Sequence, residues 1–115
     1  MLLEVNYRVL TRRATVTPYC ITDLPSRSSV KSLFRMFMKN HNGACYFPDE
    51  EEARLLVSRI SLDLRNVKSV SLDAMDELFC EAERVGCPIK IIRAKREIHA
   101  VYDAARRSYY RIKTK

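Results

Sequence analysis

The chain has no tryptophan and only two glycines among its 115 residues. Glycine this scarce excludes a glycine-rich phosphate loop and a GxSxG nucleophile elbow, each of which needs it at several fixed positions. HExxH is absent as well. Four prolines and no serine- or glycine-rich tract leave no linker and no low-complexity segment. No apolar run approaches the roughly 18–20 residues that span a bilayer. The opening MLLEVNYRVL meets Glu4 and Arg8 too soon to be the apolar core of a signal peptide, so the expected address is the cytoplasm. The four cysteines, Cys20, Cys45, Cys80 and Cys87, form no CxxC pair, and only His41 and His99 could join them. Structural zinc wants closely spaced ligand pairs. The thiols read instead as small buried apolar groups in a reducing compartment, and neither a metal nor a cofactor is expected.

What is present is the composition of one globular domain over residues 1–115, with 47% hydrophobic and 30% charged residues. The net charge of +7 is unevenly placed. Residues 1–48 carry +5, residues 49–87 carry −5, and residues 88–115 carry +7. Blocks of alternating sign give a segregated surface suited to oriented docking on a charged partner, or simply well-solvated helix faces.

Leu2, Leu3, Val5, Tyr7 and Val9 alternate with polar residues and predict a strand over 2–10. A second extended run follows through Ala14, Val16 and Ile21, which Pro18 limits to an edge or splits. Val30, Leu33, Phe34, Phe37 and Met38 make one apolar stripe of a helix over 28–39, capped by Ser26 or Ser28 and ended by Asn40-His41-Asn42-Gly43. Residues 44–47 predict a short strand. Pro48-Asp49 and the acidic triplet Glu50–Glu52 start a second helix over 50–59, with Ala53, Leu56, Val57 and Ile60 as its buried stripe. A strand then runs from Ile60 towards Val70. Asp73 caps a helix with stripe Met75, Leu78, Phe79 and Ala82, closed by Gly86. Residues 88–92 form a strand, and Ile98, Val101, Tyr102 and Ala105 mark a last amphipathic helix. Short strand–helix–strand connections imply parallel pairs with right-handed crossovers. The class is therefore α/β, a small mixed sheet with helices packed on it.

The stretch from Leu62-Asp-Leu-Arg-Asn-Val67 through the turn to Met75-Asp-Glu-Leu-Phe79 resembles the central strand–turn–helix of STAS domains, the anti-sigma-factor-antagonist fold. Glu83 to Ile92 is similar to that family's helix end and next strand, and the resemblance covers roughly residues 60–110. The Asp-Glu-Leu-Phe phrase resembles an uncharacterised STAS-like branch. The classical turn, of the type Asp-Ser-Ser-Gly, carries a hydroxyl phosphorylated by a partner kinase. Its four places fall here on Ser71, Leu72, Asp73 and Ala74, so the acceptor position holds Leu72 and a carboxylate stands beside it. Ser71 and Asp73 also suit helix capping. The first half departs from the family pattern, with two expected helices before the central strand where the family has one. The resemblance implies a STAS-like interaction module without the serine switch, docking on a kinase- or ATPase-like regulatory protein.

Catalysis finds no nucleophile–base–orienter set. Asp63 belongs to a buried strand, Asp76 and Glu77 occupy outward helix positions, and His99 sits at the surface of the last helix. The reading is thus a non-enzymatic module whose partner-binding residues are Ser71, Asp73, Asp76 and Glu77. The alternative is a nucleic-acid binder using the basic C-terminal segment: Arg93, Lys95, Arg96, Arg106, Arg107, Tyr109, Tyr110 and Arg111. There cations would neutralise phosphates and tyrosines would stack on bases.

Overall fold

Alternation over the first nineteen residues closes a hairpin. β1 (Leu2–Arg8) runs antiparallel to β2 (Arg13–Tyr19) in a computed structural model that describes residues 2–8, 10–37, 39–41, 44–46 and 56–113. β2 pairs in parallel with β7 (Arg59–Asp63), and β7 with β9 (Ile89–Ile92), giving a mixed four-stranded sheet of order β1-β2-β7-β9. β2 is an unbroken interior strand, neither the edge nor the split strand expected from Pro18: Pro18 lies past Val16, the last β2 residue paired with β7, so its missing N–H breaks no bond on that side.

Between β2 and β7 the chain forms β3 (Asp23–Leu24), α1 (Arg27–Phe37), β4 (Lys39–His41), β5 (Ala44–Tyr46) and β6 (Leu56–Val57). β4, β5 and β6 make a second small antiparallel sheet. After β7 come β8 (Ser69–Val70), parallel to β3, then α2 (Leu72–Val85), β9 and α3 (Arg96–Lys113). The molecule is a single α/β domain: a mixed four-stranded sheet and three helices. Among the described residues no helix is long and apolar enough to cross a membrane.

Right-handed crossovers that advance in one direction across a sheet put their helices on one face. Ala14 and Val16 of β2, Ile60 and Leu62 of β7, and Ile89 and Ile91 of β9 point there. They join Val30, Leu33 and Phe34 of α1, Met75 and Leu78 of α2, and Ile98 and Ala105 of α3 in one core. Each buried Leu, Ile or Phe side chain contributes about 1.5–3 kcal/mol, so this seam dominates stability.

Several boundaries differ from the sequence expectations, for physical reasons. Ser26 caps α1 by mutual side-chain contacts with Ser29, and the helix ends at Phe37 because β4 pairs with β5. Of the helix expected over 50–59, residues 50–55 lie outside the described residues, as do Pro48 and Asp49. Leu56 and Val57 are strand, drawn into pairing with β5. The strand from Ile60 stops at Asp63: its carboxylate accepts the Arg65 N–H at 3.1 Å, and the Val67 N–H closes a turn on the Leu64 carbonyl. Of the two caps that the sequence offers for α2, Ser71 and Asp73, Ser71 takes the position, its Oγ accepting the Ala74 N–H at 3.0 Å. Gly86, at φ 78°, ends that helix in the left-handed region a glycine tolerates best. Of the thiols, Cys87 is buried, but Cys80 is half-buried and Cys20 is exposed. The side chains of Cys45 and His41 lie outside the described set.

Candidate interaction surface

The N-terminus of α2 is built by its cap. Ser71 takes one of the first-turn amides, which fixes Leu72 and Asp73 at the outer corner of the domain. Leu72 is 55% exposed, one of few large apolar side chains at the surface among the described residues. Asp73 is exposed beside it, and its carboxylate complements the positive end of the helix dipole.

Asp76 and Glu77, expected to face outward, sit instead against α1. Arg27 reaches Asp76 at 2.6 Å, Glu77 at 3.7 Å and Asp73 at 3.8 Å, and Lys31 reaches Glu77 at 3.9 Å. Glu77 is buried. The hydrogen bond that the Arg27 guanidinium donates to Asp76 raises the Arg27 pKa. These carboxylates therefore tie α1 to α2, and what faces outward is the trio Leu72, Asp73 and Arg27. One turn on, burial and then the Glu77 and Asp76 charges push the Cys80 thiol up, which keeps it protonated.

The basic C-terminal residues divide between two places. Lys95, Arg96, Arg106, Arg107 and Arg111 are exposed at or along α3. Tyr109 is half-buried, stacked on Phe79 at 5.6 Å and donating its hydroxyl to Glu83. Tyr110 stands edge-on to Phe79 and is 51% exposed. Burial raises the Tyr102 pKa in the same cluster. Arg93 belongs elsewhere: it follows β9 in a left-handed conformation, φ 53°, and turns its guanidinium to Asp63 at 2.9 Å. A non-glycine residue there is strained and held by its contacts.

Asp63 anchors a region the sequence reading did not single out. Its carboxylate is fully buried and accepts from Arg65 Nη2 at 2.6 Å, Arg65 Nε at 3.0 Å and Arg93 Nη1. Burial alone would raise its pKa, but the Arg65 side chain and N–H, joined by Arg93, bring it below the ordinary carboxylate value. Both arginines line a groove of about 350 Å³ on the sheet face opposite the helices, together with Arg8, Arg13, Thr15, Thr17 and Tyr19. Glu4 accepts the Tyr19 hydroxyl at 2.5 Å on the same wall, which raises the Tyr19 pKa. The signal in the sequence is the polar alternate set of β2, Arg13, Thr15, Thr17 and Tyr19, interleaved with the apolar Ala14 and Val16 that mark the strand. Among the described residues no three His, Cys, Asp or Glu side chains gather as a metal site.

No family model matches the chain, and neither a curated protein nor a solved structure does.

Proposed function

We propose that this chain is a non-enzymatic regulatory module of STAS-like type, docking through the corner at Ser71–Asp73 on a kinase- or ATPase-like protein in the cytoplasm. The observation that carries the reading is Leu72, an exposed apolar side chain held by a cap beside an acidic helix start. An apolar contact ringed by charge is the usual make-up of a specific docking point. Arg27 and Asp73 supply that rim, and Asp76 and Glu77 hold Arg27 in place. From Arg59 to Lys113 the elements run β7, β8, α2, β9 and α3, which supports the reading apart from the added two-residue strand β8. Free thiols at Cys20, Cys80 and Cys87 suit a reducing compartment.

The rival reading draws on the exposed cations of α3. Affinity capture from native lysate, with and without nuclease, separates the two when wild type is compared with Leu72→Asp and Asp73→Arg. The module reading expects one protein retained after nuclease and lost in both variants. Material that nuclease removes and that neither variant affects would overturn it and move the functional surface to α3.

A further inference from the structure

The helix-free face of the main sheet holds more positive charge than its own acids answer. Arg8, Arg13 and Arg59 are register partners across β1, β2 and β7, so three arginines stand in one row. Like charges directly opposite on adjacent strands repel. Among the described residues none of the three forms an ion pair. The Arg13 Nε is buried and has no hydrogen-bond partner. Such a donor is costly to leave unmet, and its presence asks for an acceptor.

The adjoining groove supplies the rest. Arg65 and Arg93 enter it from the carboxyl ends of β7 and β9, where ligands of open α/β sheets collect. Asp63 holds both from beneath and so pre-positions their guanidinium groups. Four guanidinium groups line the groove against Glu4 on its wall and Asp63 below, an excess of two positive charges. Thr15 and Thr17 add hydroxyl donors.

We infer that this groove binds the phosphate of a small phosphomonoester. Guanidinium forks match phosphate oxygens bidentately, and a phosphomonoester carries close to the two negative charges the groove lacks. A volume of about 350 Å³ is at the small end for ligand sites and suits a body no larger than a nucleotide. A single-stranded polynucleotide fits less well. Such strands lie on successive aromatic platforms, whereas the aromatics lining this groove are Tyr7 and Tyr19, the latter tied to Glu4. The inference is independent of the docking corner on α2.

The test is calorimetric titration and thermal unfolding of the full chain with inorganic phosphate, adenosine 5′-monophosphate and a short single-stranded RNA lacking terminal phosphate. Expected are saturable binding of phosphate and the monophosphate with a rise in Tm, and weakening of about tenfold or more in Arg13→Gln. Arg35→Gln, exposed on α1 on the other side of the sheet, leaves the affinity unchanged. Without ligand, Arg13→Gln melts no lower than wild type, because the substitution relieves repulsion; a purely structural Arg13 would melt lower. Three results would overturn the inference: no saturable binding of either phosphate compound, equal weakening by Arg35→Gln, or tighter binding of the RNA than of the monophosphate.

Discussion

One sheet presents two faces built to opposite rules. Towards the helices, Ala14, Val16, Ile60, Leu62, Ile89 and Ile91 are all at most 8% exposed. At the alternate positions of the same strands stand Arg13, Thr15, Arg59, Ser61 and Lys90. Period-2 geometry makes the division possible, since neighbouring residues point to opposite sides. A face selected only for solvation would intersperse both signs; this one lines arginine up with arginine. The apolar face supplies the folding energy, and the open face is left to hold charge that folding resists.

The sharpest break of that division is Leu62→Ala. Leu62 is 2% exposed at the centre of the covered face, and truncation leaves a cavity costing roughly 2–5 kcal/mol. Urea unfolding measures the loss. Phosphate affinity well below the melting temperature should be unchanged, and a parallel fall would mean that the faces are not separable.

Asp63→Asn comes next, because Asp63 belongs to both sides: its backbone ends β7, and its buried carboxylate holds the groove arginines. The loss expected is about 1–3 kcal/mol, from charge-assisted bonds weakened in a buried place. It carries a pH signature. Because the folded pKa lies below the unfolded one, the carboxylate's contribution is complete above the ordinary carboxylate value. It disappears as pH falls through the folded value. Unfolding free energies of wild type and variant, measured from neutral to acid pH, should converge at the acid end. A gap that stays constant would show that the charge is not what Asp63 contributes.

Legibility in the sequence followed how local each determinant is. α2 was readable because its stripe, its glycine stop and its serine cap all fall within sixteen residues. β7 was readable from the alternation of Ile60-Ser-Leu-Asp and β9 from its β-branched run, but the end of β7 was not, since the bond that the Arg65 amide donates to the Asp63 carboxylate decides it. Leu56 and Val57 have helical spacing with Ile60, and only pairing with β5 makes them strand. Asp76 and Glu77 looked solvent-facing because nothing in α2 reveals that α1 brings Arg27 to that side. The arginine row was invisible for the same reason: Arg8 and Arg59 become neighbours of Arg13 only through the register of three strands.

The smallest effect expected is also the most discriminating, because its sign is unusual. Arg8→Glu puts a carboxylate opposite Arg13 in the hairpin, replacing a repulsive cross-strand pair with an attractive one. An exposed pair of this kind is worth about 0.2–1 kcal/mol, and the variant should be more stable than wild type by that order. The gain should shrink with added salt, which screens surface charges over about 10 Å at 0.1 M. The same substitution places a negative charge in the groove and should abolish the response of Tm to phosphate. Stability and phosphate response moving in opposite directions would mark the arginine row as kept for a ligand. If Arg8→Glu destabilises the free protein, the row contributes to folding in its own right, and the contrast between the faces is one of polarity alone.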